Sequence, residues 1–297
     1  MLNAYAKINL SLRVLHRRGD CFHELRSIFQ TISLADSITL QTTKSRKTSV
    51  TLNDNGLGLA DNLMTRAVHA YLEAAGTTAI VHMALRKQIP MGGGLGGGST
   101  DAATVLLALH QQIKAKVDLA EIAAKLGSDV PFFLEGGTAL GVSRGEELYP
   151  LQDLPKAWGV IAAPEVHVST SDAYKALNRP ELTSSAGSPK LEKFQALSRS
   201  VATGAPRSVW KSFCENDFEA AVFLQYPVLK QIRDQLERLG AAPARMTGSG
   251  AALFGLFDTQ SKAEAAARAI PRKLTGCAVW ALPFTLISRR RYQAQWR

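Results

Sequence analysis

The feature that most constrains this chain is a glycine-rich loop in its first third. The loop reads Pro90-Met91-Gly92-Gly93-Gly94-Leu95-Gly96-Gly97-Gly98-Ser99-Thr100. Glycine leaves no side chain between the backbone and a ligand. Ser99, Thr100 and Asp101 suit the start of a helix, and a helix N-terminus favours anions through its free N–H groups and its dipole. The loop therefore predicts a cradle for nucleotide phosphates, with a flexible turn as the alternative.

Two familiar phosphate-binding loops fit this stretch poorly. A Walker A loop ends in Gly-Lys-Ser/Thr, whereas this loop ends in Gly-Ser-Thr. A dinucleotide-binding loop follows the first strand of a βαβ unit and needs an acidic residue about twenty positions later. Here Asp118 and Glu121 lie beyond the helix, in a polar turn and a second helical pattern.

Composition limits the class of protein. The 297 residues are enough for two domains, and the hydrophobic fraction of 46% is that of an ordinary globular protein. The three cysteines are far apart and show no metal-ligand spacing, which indicates free thiols in a reducing compartment. No apolar run reaches the length of a membrane span. We therefore expect a cytoplasmic protein with no membrane partner and no protein-held metal.

The formal charge of +10 calls for an explanation. A basic chain can meet nucleic acid, a membrane surface or an anionic small substrate. The arginines are mostly scattered, and the short cluster from Ser288 to Tyr292 is interpreted as a solvated tail rather than a nucleic-acid patch.

The order of the predicted elements indicates the fold class. Alternation over Leu2 to Leu15 predicts a strand, and further strands are predicted at Ile28 to Leu34 and at Ser37 to Thr42. The pattern restarts near residue 154. Strands followed by helices, without regular βα alternation, predict an α+β protein with mixed or antiparallel sheets. We expect domains at 1–154 and 155–297, with the active site in the cleft between them.

Three polar positions are ambiguous when each is taken alone. Lys7 and Asn9 share one face of the first strand and could be surface residues or site residues. Asp129 could cap a helix or be a partly buried carboxylate. Phe22 and His23 could form a strand edge or contact a base.

The motifs Ala6 to Leu10, Pro90 to Ala103 and Thr247 to Ala251 together resemble the GHMP kinase superfamily. Two further stretches, Arg17 to Leu25 and Leu126 to Phe133, resemble one branch of that superfamily. Its members phosphorylate the 2-hydroxyl of a cytidine diphosphate-linked methylerythritol, in the non-mevalonate route to isoprenoid precursors. The resemblance covers essentially the whole chain.

The resemblance implies a role for each candidate residue. Asp129 would be the catalytic base and Lys7 its partner, while the loop from Pro90 to Thr100 would bind ATP, accompanied by Mg²⁺. Asn62 and Lys87 would lie on the adenosine side. On the substrate side, Asn9 would contact the reacting end, His23 would bond the cytosine edge, and Phe22 and Tyr174 would stack on its two faces.

The chain departs from the branch's pattern at a few positions, and two rival functions stay open. Phe22 stands where the branch usually has Tyr, Cys21 where it has Gly, and Tyr5 where it has Pro. These changes affect the expected substrate affinity rather than the expected reaction. The rivals are a GHMP kinase for another alcohol and a non-catalytic nucleic-acid-binding protein. We expect a monomer or a weak homodimer.

Overall fold

The computed structural model describes residues 1–58, 62–179, 190–270, 273–274 and 277–296. A first, mixed sheet is built from β1 (Leu2–Arg17), β2 (His23–Lys44), β3 (Ser49–Asn53), β4 (Ala79–Arg86), β5 (Thr138–Ser143) and β6 (Glu147–Pro150). The strand β2 is its centre, because β1 pairs antiparallel along one edge and β4 and β5 share the other. The strand β3 pairs in parallel with β4.

The continuity of β2 corrects the prediction of two separate strands. The residues Ala35 and Asp36 break the apolar pattern, yet the strand runs through them. Asp36 is fully buried, and its Oδ1 accepts hydrogen bonds from the backbone N–H groups of Gln88 and Ile89, the latter at 2.8 Å. Partners from a distant segment satisfy the carboxylate, so the strand tolerates it.

Helices α1 (Leu63–Ala74), α2 (Gly97–Ile113), α3 (Leu119–Leu126) and α4 (Phe132–Glu135) accompany this sheet. The apolar positions predicted for α2 are all buried, namely Ala102, Val105, Leu106 and Leu109. The helix begins at Gly97, with Gly96 as its left-handed N-cap. It therefore starts two residues before the polar start predicted at Ser99.

A second, antiparallel sheet has the strand order β10-β11-β7-β9-β8. Its strands are β7 (Trp158–Pro164), β8 (Ala244–Met246), β9 (Leu253–Phe257), β10 (Lys273–Leu274) and β11 (Cys277–Thr285). The accompanying helices are α5 (Thr170–Leu177), α6 (Lys190–Ala202), α7 (Arg207–Trp210), α8 (Phe218–Gln225), α9 (Pro227–Arg238), α10 (Gln260–Ala269) and α11 (Arg289–Gln293), with 3-10 turns at Lys211–Phe213 and Ala294–Trp296. The predicted α+β class is confirmed.

The C-terminal cluster is not a solvated tail throughout, which corrects that prediction. Tyr292 is fully buried, and its hydroxyl donates to the carbonyl of Phe133 at 2.5 Å. Arg289 donates to the carbonyl of Thr138 at 2.7 Å. The end of the chain therefore packs on the first half, where α4 and β5 lie. The boundary at residue 154 falls between β6 and β7 and stays a prediction.

The first two strands, β1 and β2, also contact the second half of the chain. Leu12 of β1 forms an isolated parallel bridge with Asn216, and Ile32 of β2 forms an antiparallel bridge with Leu286.

Within the described ranges, no helix combines the length and the apolar character needed to cross a membrane.

Candidate active site

The glycine loop joins the end of β4 to α2 and adopts backbone angles that favour glycine. Gly92, Gly94 and Gly96 have φ values of 69°, 73° and 74°. A Cβ at Gly94 would lie 2.2 Å from the carbonyl oxygen of Thr247, and one at Gly96 would lie 2.7 Å from the Phe133 ring. At Gly94 and Gly96, glycine is therefore required by both torsion and space.

The loop lines a cavity of about 200 Å³. Most of the residues predicted to bind ATP line it: Asn62, Lys87, Pro90, Met91 and Gly92 to Gly98. Ser99 is half-buried in the first turn of α2, while Thr100 is fully buried. Asn62 also caps α1, because its Oδ1 accepts from the N–H groups of Met64 and Thr65.

Lys87 lines this cavity and lies between two carboxylates. Its ammonium contacts Asp36, and it donates to Asp101 Oδ2 at 2.9 Å. Burial raises the pKa of Asp101 to about 7, against the attraction of Lys87. Burial would lower the pKa of Lys87, but the two carboxylates raise it. The ammonium is thus held in a buried ion-pair network, and its predicted adenosine contact stays a prediction.

Lys7 and Asp129, the predicted catalytic pair, lie side by side. Lys7 Nζ is 3.4 Å from Asp129 Oδ2, and their side chains are 4% and 33% exposed. The backbone N–H of Lys7 donates to the carbonyl of Leu95 at 3.0 Å, which fixes the strand to the glycine loop. Lys7 is therefore no surface residue. Asp129 caps no helix, because α4 has Pro131 at its N-cap and no side-chain capping bond.

Asn9 is buried, and its side chain is hydrogen-bonded to protein atoms. Its Oδ1 accepts from Lys7 Nζ at 2.7 Å and from Gly248 N–H at 3.0 Å, while its Nδ2 donates to Ser27 Oγ at 2.7 Å. Thr247 Oγ1 lies 3.2 Å from the same oxygen. Asn9 thus ties Lys7 to the Thr247–Gly248 turn of the second half, and its predicted substrate contact stays untested.

A second cavity, of about 730 Å³, lies beside this pair. The predicted residues Phe22, His23 and Tyr174 line it, together with Arg17, Cys21, Leu25, Ser128, Arg144, Thr170, Ser171, Lys175, Asn178 and Arg179. Ser128 directly precedes Asp129 in the chain. Burial and the charge of Asp129 raise the pKa of Tyr174 to about 12. The Asp129 carboxylate therefore lies close to the second cavity.

Each of the two rings predicted to stack on the base contacts another protein side chain. The Tyr174 ring stacks on the His23 imidazole, with centroids 4.8 Å apart. The Phe22 ring is 55% exposed and lies 5.0 Å from the Arg144 guanidinium. Burial and the charges of Arg17, Arg179 and His16 lower the pKa of His23. The imidazole is therefore neutral near pH 7, with one N–H donor and one acceptor nitrogen.

Sequence reasoning missed the cationic lining of this cavity. The basic residues of the lining come from three separate segments, which contribute Arg17, Arg144, and Lys175 with Arg179. No acidic side chain lines the cavity in the described residues. The sequence around each basic residue does not predict that these residues share one cavity, because only the fold brings them together. Such a lining suits a phosphorylated ligand.

Two family models match separate parts of the chain. The family model described as GHMP kinases N terminal domain matches residues 62–137, and the one described as GHMP kinases C terminal matches residues 208–276. A crystal structure of homoserine kinase from Cytophaga hutchinsonii is 17% identical, with a TM-score of 0.68, covering 96% of this chain and 94% of that one. At that identity the likeness shows the fold alone.

Relatives with higher sequence identity are described as the same kind of kinase. The 4-diphosphocytidyl-2-C-methyl-D-erythritol kinase of Solibacter usitatus is 46% identical over 302 residues, covering 100% of this chain and 91% of the relative. That of Thermus thermophilus is 41% identical, covering 90% and 91%. A crystal structure of 4-(cytidine 5'-diphospho)-2C-methyl-D-erythritol kinase is 37% identical, with a TM-score of 0.78, covering 96% of this chain and 98% of that one.

The fold, the glycine loop and these matches define an ATP-dependent small-molecule kinase of the GHMP superfamily. Within that superfamily, the chain belongs to the 4-diphosphocytidyl-2-C-methyl-D-erythritol kinase family.

Proposed function

We propose that this chain transfers the γ-phosphoryl group of ATP to the 2-hydroxyl of 4-diphosphocytidyl-2-C-methyl-D-erythritol, in the non-mevalonate pathway to isoprenoid precursors. The observation that carries the proposal is the Lys7–Asp129 pair, whose side chains lie 3.4 Å apart. Lys7 is hydrogen-bonded through its backbone N–H to Leu95 of the glycine loop, and Asp129 directly follows Ser128, which lines the cation-lined cavity. A phosphoryl donor and an alcohol that occupy the two cavities would meet at this pair.

The glycine loop holds the phosphates of ATP. Phosphoryl transfer needs positioning and neutralisation of charge more than covalent chemistry from the protein. The backbone N–H groups of the loop and of the first turn of α2 supply both. Mg²⁺ would arrive with the nucleotide as part of the substrate, because it binds mainly through phosphate oxygens and water. In the described chain no three histidine, cysteine or acidic side chains form a metal site.

Asp129 takes the proton of the acceptor hydroxyl as that oxygen attacks the γ-phosphorus, and ADP leaves. A carboxylate within hydrogen-bond reach of the hydroxyl can act as this general base. The neighbouring Lys7 ammonium favours the ionised carboxylate. It also stabilises the negative charge that develops on the transferring group. Asn9 holds Nζ in place through the 2.7 Å hydrogen bond.

The second cavity recognises the cytidine diphosphate part of the alcohol. A neutral His23 offers a donor and an acceptor, which matches the alternating groups of a cytosine edge. The rings of Phe22 and Tyr174 provide aromatic faces for stacking. The arginines and lysine of the lining neutralise the diphosphate. We further propose that the protein acts in the cytoplasm without nucleic-acid or membrane partners, as a monomer or weak homodimer.

Turnover with a panel of alcohols tests the assignment. ATP is supplied with 4-diphosphocytidyl-2-C-methyl-D-erythritol, mevalonate and homoserine in parallel, and the product is examined by phosphorus NMR. We expect one new phosphomonoester, on the 2-hydroxyl of the cytidine compound, and competitive inhibition by CDP. Phosphorylation of mevalonate or homoserine without CDP inhibition would favour the first rival. Salt-dependent RNA binding with no turnover would favour the nucleic-acid rival.

A further inference from the structure

Residues 215–217 form a short segment that is joined to the strand carrying Lys7. The backbone N–H of Leu12 donates to the carbonyl of Glu215 at 2.8 Å, and that of Asp217 donates to the carbonyl of Leu12 at 2.9 Å. The segment therefore belongs to the second half of the chain but is paired with β1. None of its residues lines the glycine-loop cavity or the cation-lined second cavity, which we call the cytidine cavity from its proposed ligand.

Asn216 is connected to the Lys7–Asp129 pair through a chain of hydrogen bonds. It is 6% exposed, and its Nδ2 donates to the carbonyls of Met246 and Gly248 at 2.8 and 2.9 Å. The N–H of Gly248 donates to Asn9 Oδ1, which also accepts from Lys7 Nζ. Asn216 thus sets the position of the turn that holds Asn9 and, through it, the Lys7 ammonium.

Asp217 is connected instead to the cytidine cavity, through an ion pair with Arg179. Its side chain is 8% exposed, and it forms ion pairs with Arg13 at 3.2 Å and Arg179 at 3.0 Å. Its Oδ2 also accepts from the N–H of Val14 at 3.0 Å. Arg179 comes two residues after the end of α5, the helix that carries Tyr174, and lines the cytidine cavity. Asp217 thus anchors the end of α5 to β1.

We propose that Asn216 and Asp217 are positioning residues with separate duties. Asn216 sets the geometry of phosphoryl transfer, and Asp217 sets the geometry of the cytidine cavity. The inference rests on the proposed function, since it assigns each residue to one of the two substrates. Adjacent residues of one segment then control kcat and the alcohol KM independently.

Steady-state kinetics of single variants test this division. Asn216→Ala leaves the Gly248 turn without its donor, so we expect kcat to fall about tenfold or more while the alcohol KM stays within about twofold. Asp217→Asn removes the charge that holds Arg179, so we expect the alcohol KM to rise about tenfold, with kcat and the ATP KM within about threefold. Asp258→Asn is the matched control, because it breaks an ion pair with Arg207 that lies away from both cavities.

A second set of variants keeps the test decisive if Asn216→Ala does not fold. Asn216→Ser retains a smaller donor and is expected to show the same fall in kcat to a lesser degree. In the double variant Asp217→Asn with Arg179→Gln, the KM effects should be less than additive, because the two side chains act as one pair. Equal changes in kcat and both KM values for Asn216 and Asp217 variants would overturn the proposal. All variants are compared with the wild-type chain on whichever alcohol it phosphorylates, so a wrong substrate and a wrong division of duties are distinguishable.

Discussion

Gly94 and Thr247 touch across the two halves of the molecule. Thr247 Oγ1 donates to the carbonyl of Gly94 at 3.3 Å, and a Cβ at Gly94 would lie 2.2 Å from the Thr247 carbonyl oxygen. Gly93 makes a parallel contact, since its carbonyl accepts from the N–H of Ala252 at 3.3 Å. The turn that follows β8 therefore packs against the glycine loop.

Gly94→Ala should be strongly destabilising, because its Cβ would meet backbone atoms at a position where φ is 73°. We expect a loss of about 2 kcal/mol or more in the free energy of unfolding. Gly98→Ala is the matched control within the same loop, because the nearest atom to its Cβ is 3.8 Å away and the residue is helical. It should gain about 0.5–1 kcal/mol. Thermal denaturation of both variants measures the difference, and equal melting temperatures would contradict the packing described.

His23→Ala should weaken binding of the cytidine substrate by roughly 10- to 100-fold, because it removes edge hydrogen bonds and the ring that supports Tyr174. The KM for ATP should not change. His82→Ala serves as control, since His82 is exposed on β4 and bonds Thr51. Equal losses for both substrates would remove His23 from base recognition.

The pH dependence of the cytidine-substrate KM should follow the protonation of His23. Burial and nearby positive charges hold its pKa below 6.5, so the imidazole is neutral above that pH. As the pH falls through the lowered pKa, the ring gains a proton and loses its acceptor nitrogen. We expect this KM to rise as the pH falls through that lowered pKa, whereas the ATP KM should follow the buried Asp101–Lys87 pair of the glycine-loop cavity instead. A pH profile of both constants measures it, and His23→Ala should abolish the rise.

Cys21→Gly should stabilise the protein, because Cys21 has a φ of 67° in the turn before β2. A side chain in this left-handed conformation costs about 1 kcal/mol. Cys21→Ala keeps the backbone cost while removing the thiol, so it separates the two effects. Chemical denaturation should show a gain for the glycine variant and none for the alanine variant. A gain for both would assign the effect to the thiol.

The sequence revealed elements whose signals are local. The alternation of β1 and the apolar spacing of α2 depend on nearby residues, and the glycine loop is contiguous. Asp36 looked like a strand break because its partners, Gln88 and Ile89, come from a distant segment. The start of α2 was misplaced for a related reason, since Gly96 caps the helix by backbone conformation rather than by a side chain.

The polar network around the site could not be predicted from pattern. The hydrogen bonds of the Asn9 amide with Lys7, Ser27 and Gly248 join segments that are distant in the chain, and its predicted substrate contact stays a prediction. Asn216 and Asp217 carried no local signal, because their importance comes from contacts with β1, the Gly248 turn and Arg179. Side chains of this kind are recognised only when the fold fixes their neighbours.

Asp129→Asn tests the central claim most directly. The variant keeps the shape of the side chain but cannot accept the hydroxyl proton as a carboxylate does. Asp118→Asn is the control, because Asp118 caps α3 through Glu121 N–H and asparagine caps equally well. Single-turnover rapid quench with saturating ATP and the cytidine substrate gives the transfer rate, and calorimetry gives nucleotide affinity. We expect transfer to fall at least about 1,000-fold, with ATP affinity unchanged. Transfer at a near wild-type rate would contradict the central claim.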